Sequence, residues 1–194
     1  MHKFANSQFL APIVLLLSAP AAGQIINAGQ QRLEIVGTAP SACVLLAPTA
    51  ANGINASFQS EGPANGEIRI TRMVDPLTAE PVASSIDLLL PVICNSAHRM
   101  QVRSLNGGML RDGGNQRNRQ GGDSFGEFVG YQLSVDWADQ SISSPSANGG
   151  GLRVDSARGR AGEVALSFEM PAGGGPLVAG RYSDSVVIEF QAAN

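Results

Sequence analysis

Two cysteines, two histidines, several paired glycines and scattered hydroxyls are the side chains through which this 194-residue sequence could do covalent or metal chemistry. Cys43 and Cys94 are far apart and belong to no Cys-x-x-Cys motif, so dithiol redox catalysis has no basis here. His98 is the single histidine beyond residue 23. A zinc set is therefore short of ligands, and no Asp/Glu cluster has the density of a calcium loop. His98 is expected at the surface or on a strand edge. A serine nucleophile needs a histidine and an orienting acid, and Ser96 and Ser104 sit in no recognisable elbow. Gly107-Gly108, Gly113-Gly114 and Gly121-Gly122 lack the lysine and following helix of a phosphate loop and are read as turn residues. Arg111, Arg117 and Arg119 are interspersed with Asp112 and Asp123, the pattern of a solvated loop rather than an anion site. Asn55-Ala56-Ser57 matches the glycosylation pattern, but a three-residue match is too common to count. The chain is expected not to be an enzyme, with no catalytic, cofactor-binding or metal-ligating residues.

The start of the chain bears on where it works. Met1-His2-Lys3-Phe4, the apolar stretch Phe9 to Leu17 and Ser18-Ala19-Pro20-Ala21-Ala22-Gly23 have the three parts of a secretory signal peptide, assigned to residues 1–23. Cleavage after Ala21 or after Gly23 both fit. Leu10 to Leu17 is too short to span a bilayer, and no later apolar run approaches ~18 residues, so no integral membrane segment is expected. Beyond residue 23 the chain holds 12 arginines and no lysine against 16 acids, a net charge of −4. That balance argues against a generic binder of nucleic acid or anionic membranes. In an oxidising compartment Cys43 and Cys94 read most simply as one disulfide, two buried thiols being the alternative. Such a bridge restricts the unfolded chain by an idealised ~4 kcal/mol.

The elements that would position these residues are strands. In Val129 to Trp137 the odd positions Val129, Tyr131, Leu133, Val135 and Trp137 are apolar and the even ones small or polar. Tyr131 and Trp137 could offer a sugar-stacking platform, but their shared face with three aliphatics makes core packing the better reading. Val164 to Met170 and Tyr182 to Phe190 alternate similarly, and Tyr182, Val186, Ile188 and Phe190 share one face. Further strands are expected at Arg32 to Gly37, Ala42 to Ala47, Ile54 to Gln59, Glu67 to Val74, Ser84 to Cys94 and Arg99 to Leu105. Pro91 puts the Ser84 strand at an edge, a bulge or a point where a missing amide is harmless. Gly107 to Gly126 and Ser141 to Gly151 read as exposed loops. Eight to ten short strands with no amphipathic helix indicate an all-β antiparallel sandwich, with a barrel as runner-up.

Several segments together carry a resemblance. They are Leu33-Glu34-Ile35-Val36 leading to Ser41-Ala42-Cys43-Val44, then Leu90-Pro91-Val92-Ile93-Cys94, Ser104-Leu105-Asn106-Gly107-Gly108, and the ending Ala179 to Ile188. The chain resembles the spore coat protein U domain family, which includes subunits of archaic chaperone-usher pili. Gly180, Tyr182, Asp184 and Val186 form the most specific piece, and the resemblance covers almost everything after residue 23.

The resemblance implies an incomplete immunoglobulin-like β-sandwich lacking its last strand, completed by donor-strand exchange. It divides the chain into a donor segment at 24–37 and a pilin-like domain at 38–194, with Ile25, Leu33 and Ile35 as anchors and Tyr182, Val186, Ile188 and Phe190 as terminal-strand core. Only Gln191 to Asn194 follow Phe190, leaving no room for another strand. The implied partners are a periplasmic chaperone, an outer-membrane usher and neighbouring pilin subunits. The implied destination is a fimbrial fibre on the cell surface, reached through the periplasm, with roles in cell adhesion and biofilm. The competing expectation is a self-contained secreted β-sandwich that binds carbohydrate or another surface component. An exported enzyme ranks last. The loop from Gly113 to Gly126 and the turn between Pro76 and Pro81 depart from a compact major pilin.

Overall fold

The computed structural model describes residues 33–63, 65–115, 124–148 and 151–193. Strands β1 to β5 are Cys43–Leu45, Ala50–Ile54, Ala56–Ser60, Gly66–Ile70 and Ser84–Cys94. Strands β6 to β10 are His98–Ser104, Met109–Arg111, Phe128–Val129, Gln132–Trp137 and Gln140–Pro145. Strands β11 to β14 are Leu152–Ser156, Arg160–Met170, Tyr182–Ser183 and Val186–Ala192, and a 3₁₀ turn covers Ser146–Asn148. Among the described residues the fold is all-β, and every pairing between these strands is antiparallel.

The chain divides into the units Met1–Thr38 and Ala39–Asn194. Of the first, the described residues from Leu33 onward carry no secondary structure, and Leu33 and Ile35 are 85% and 91% exposed. The strand expected at Arg32 to Gly37 is therefore not formed over its described residues, Leu33 to Gly37. Its apolar alternation suits a strand, but a strand exists only where a neighbour completes its ladder. The signal peptide, Ile25 and most of the donor segment lie outside the described residues.

In the second unit β5 is the organising strand. It pairs with β12 over eleven residues from Ser84↔Met170 to Cys94↔Arg160, and on its other edge with β1 and then β2. Strands β9 and β10 extend this sheet beyond β12. A three-stranded sheet runs β11-β6-β14, and two smaller sheets, β13-β7-β8 and β3-β4, accompany them. The period-two pattern sets which side chains are buried. Ile86, Leu88, Leu90 and Val92 of β5, Leu133, Val135 and Trp137 of β9, and Val164, Leu166 and Met170 of β12 meet Met100, Val102, Leu152 and Val154 of the three-stranded sheet in one core.

Pro91 lies inside this sheet rather than at its edge. A strand residue directs its amide and carbonyl to the same side, and the Pro91 carbonyl accepts from the Leu46 amide at 2.9 Å. The missing amide thus faces the gap where the outer partner passes from β1 to β2, while the β12 ladder stays intact.

The Ser141 to Gly151 stretch is not one loop. Ala138 and Asp139, both at positive φ, make a two-residue hairpin turn that returns Gln140–Pro145 along β9. A mostly exposed edge strand needs little apolar sequence, so its Ser-rich composition resembles a loop. Gly107 to Gly126 likewise contains β7, and Arg117, Arg119, Gly121, Gly122 and Asp123 lie outside the described residues. Among the expected strands, Ile54 to Gln59 is broken at Asn55, whose φ is 54°.

The core is graded, and stability should follow it. Leu166→Ala, at a sealed position, should lower unfolding free energy by about 2–5 kcal/mol. Ile188→Ala, at a half-buried position of β14, should cost roughly half as much. Urea midpoints of the two variants measure the difference, and equal losses would show that β14 is sealed in solution.

Candidate functional site

The candidate site is the terminal strand β14, built from its inner face outward. Its register with β6 places Val186 beside Ser104, Ile188 beside Val102 and Phe190 beside Met100. Met100 and Val102 are fully buried at 0% exposure, yet Val186, Ile188 and Phe190 are only half-buried against the core. The reason is positional. β6 has β11 on one edge and β14 on the other, while among the described residues β14 pairs with β6 alone. Its second edge presents main-chain donors and acceptors with no ladder partner among those residues. Tyr182, expected with these three as terminal-strand core, is on the separate strand β13.

Both ends of β14 are firmly held. Leading into it, the Asp184 carboxylate accepts from the Ser104 hydroxyl, from the Tyr131 hydroxyl at 2.7 Å, and from the Asn106 and Ser185 amides at 3.0 and 2.7 Å. One side chain thus joins the end of β6, the turn after it and the approach to β9. Tyr182 donates its hydroxyl toward the Val178 and Gly126 carbonyls at 2.8 and 3.0 Å. Gly180 has φ +153°, and a Cβ there would lie 3.0 Å from Cγ of Arg111. Arg111 itself is paired with Glu127. Gly180, Tyr182 and Asp184 therefore build the corner from which β14 starts. Toward its other end, Phe190 packs edge-on to Trp137 and near His98, with ring centroids 6.1 and 6.2 Å away.

His98 is 2% exposed, not a surface residue. Its Nδ1 meets the Ser96 carbonyl at 3.0 Å and its Nε2 the Trp137 indole N–H at 3.0 Å. A carbonyl only accepts and an indole only donates, so Nδ1 carries the proton and Nε2 the lone pair. Alternation does not reveal this, because the strand expected from the sequence begins at Arg99 whereas β6 begins at His98. Ser104 and Ser96 are occupied by Asp184 and by the Ala97 carbonyl. Asn55 is taken up by Arg72, Ala83 and Ser84. Tyr131, Leu133, Val135 and Trp137 all face the core.

Cys43 and Cys94 are directly opposed in the β1–β5 register and joined in a disulfide. One ligand atom from each and one from His98 lie within 4.8 Å of one another. Nothing in the spacing of 43, 94 and 98 announces this trio, which only the strand pairing brings together. Separately, a surface cleft of about 590 Å³ is lined by Ile54, Tyr131, Pro145, Met170 and Pro171 among others. Among the described residues no helix is long and apolar enough to cross a membrane. No protein family, curated protein or solved structure matches the chain.

The Asp184 corner should behave as one unit. Asp184→Ala leaves two hydroxyls and two amides without their acceptor and should cost at least about 3 kcal/mol, against about 1 kcal/mol for Tyr131→Phe. The double variant should cost clearly less than the two losses added together. Denaturant titration of the three proteins tests this, and simple additivity would dissolve the unit.

The tyrosines supply a pH test. Burial, and next the hydrogen bond to Asp184, push the Tyr131 hydroxyl well above the ordinary phenol range. Burial also raises Tyr182. A folded pKa above the unfolded one means stability fully present below about pH 10 and lost as pH rises through the folded values. Phenolate absorbance should therefore lag in the folded protein relative to the urea-unfolded one, and stability should fall above about pH 10. Coincident titrations would contradict the buried network.

Proposed function

We propose that this protein is a structural subunit of a secreted or cell-surface fibre, assembled by a chaperone-usher system and polymerised by donor-strand complementation. In this reading the fold is an immunoglobulin-like sandwich one strand short. The observation that carries it is β14: an anchored strand whose inner residues Ile188 and Phe190 stay half-open while their β6 neighbours Val102 and Met100 are sealed.

The exposed segment at Leu33 to Val36 supports the same reading from the other side. Laid along a free strand edge, such a segment gains main-chain bonds, and its alternate side chains Leu33 and Ile35 enter the groove with Ile25 in the same parity. Each buried Leu or Ile adds ~1.5–3 kcal/mol. A periplasmic chaperone would occupy the edge first, an outer-membrane usher would hand the subunit on, and the donor segment of a neighbouring subunit would replace the chaperone. The second reading, a self-contained secreted protein that binds carbohydrate or another surface component, draws on the cleft beside Ile54 and Met170. Stable monomer in the absence of any chaperone would favour it.

Ile35→Asp separates these readings. The substituted subunit should still form a soluble complex with its chaperone, because the segment is not needed there. It should fail to build the SDS-resistant ladder of the wild type, because a carboxylate does not enter an apolar groove. Equal ladders would remove Ile35 from the interface.

A further inference from the structure

We propose that the reduced chain holds a Zn²⁺ ion through Cys43, Cys94 and His98, a metal site that the disulfide closes. The three ligand atoms already lie within 4.8 Å of one another. Two thiolates and an imidazole are a zinc donor set, and three protein ligands leave a fourth position for water. Cys94 and His98 are buried, whereas Cys43 is half-buried on a short edge strand, so solvent reaches the cluster from one side. Two thiolate charges against one divalent cation make a neutral centre, which suits that burial.

Contacts besides the sulfur–sulfur bond also hold this geometry. The β1–β5 register continues through Val44↔Ile93 and Leu45↔Val92. Asn95 clamps the start of β1: its amide donates to the Ala42 carbonyl at 3.0 Å, its side-chain carbonyl accepts from the Ala42 amide at 2.8 Å, and its Nδ2 donates to the Pro40 carbonyl at 2.8 Å. His98 is oriented by Ser96 and Trp137. To reach the metal the ring offers its Nε2 lone pair and gives up the Trp137 indole N–H, while Nδ1–H keeps the Ser96 carbonyl as its outer anchor, the arrangement that fixes ligating histidines elsewhere.

The chemistry balances with a thiol reductant. Two reductant thiols deliver two electrons and two protons to the Cys43–Cys94 bond, leaving two cysteine thiols and one reductant disulfide. Zn²⁺ then displaces the two thiol protons to solvent. Metal and disulfide exclude each other, so bound Zn²⁺ slows oxidation of a chain that arrives in the reduced state.

The test uses the full chain, reduced with a phosphine and shown by near-ultraviolet circular dichroism to remain folded, with Co²⁺ as the spectroscopic probe. The expected result is one equivalent of Co²⁺ bound, a thiolate-to-cobalt charge-transfer band, quenching of Trp137 emission, and displacement by one equivalent of Zn²⁺. The oxidised chain should show none of these. Cys94→Ser should abolish the band, and His98→Gln should weaken binding by more than the roughly 10–100-fold that loss of an outer-shell partner costs. Absence of the band, unchanged affinity in His98→Gln, or loss of the folded spectrum on reduction alone would each overturn the site.

Discussion

Val102 and Met100 on β6 are sealed, while Ile188 and Phe190, their neighbours across the ladder, are half-open, and this asymmetry constrains the rest of the structure. A strand needs its main-chain groups paired and its apolar face covered from both sides. β14 meets that condition on one side among the described residues. The asymmetry is not looseness, because Asp184 locks the approach to the strand and the Phe190–Trp137–His98 group holds its inner face near the other end. A strand edge held at its ends and unpaired among the described residues has the main-chain groups to template another strand.

The larger sheet solves the opposite problem of closure. β5 is flanked along its length, and the single residue that cannot donate, Pro91, turns its missing amide toward the break between β1 and β2. β1 is only three residues long, so few ladder bonds hold it, and the disulfide to Cys94 together with the Asn95 clamp compensates for its shortness. Buried polarity is satisfied throughout: among the described residues no buried side-chain nitrogen or oxygen lacks a partner. His98 achieves this as a neutral ring read by one acceptor and one donor.

What was legible in the sequence follows from this division. β5 appears with its bounds at Ser84 and Cys94, because a long strand with one face on the core and the other outward writes its burial into every second residue. The inward face of Tyr131 to Trp137 was equally plain. β10 was not legible, because an exposed Ser-rich edge strand has the composition of a loop and is specified by the turn at Ala138 and Asp139 instead. β11, with Leu152 and Val154 as its two buried residues, is too short for its period to stand out. The Cys43, Cys94 and His98 trio and three of the four donors on Asp184, from Ser104, Asn106 and Tyr131, are products of long-range pairing, which local pattern does not encode. Leu33 to Val36 shows the converse case: alternation without a partner strand leaves apolar residues exposed.

Magnitudes limit how that exposed segment could act in the proposed exchange. Ordering the four residues from Leu33 to Val36 costs about 1–2 kcal/mol each in backbone entropy, roughly 4–8 kcal/mol together. Burying Leu33 and Ile35 returns about 3–6 kcal/mol, so the two anchors alone do no more than offset the ordering. Net attachment then rests on the main-chain bonds along β14, at about 0.5–1.5 kcal/mol each, and on further anchors such as Ile25. A short apolar tetrapeptide would therefore bind weakly, and the proposed donor has to engage along most of residues 25–37. That requirement favours a strand that is already rigid: β14, fixed at its start by Asp184, has little of its own entropy left to lose, so the ordering cost falls on the incoming segment alone.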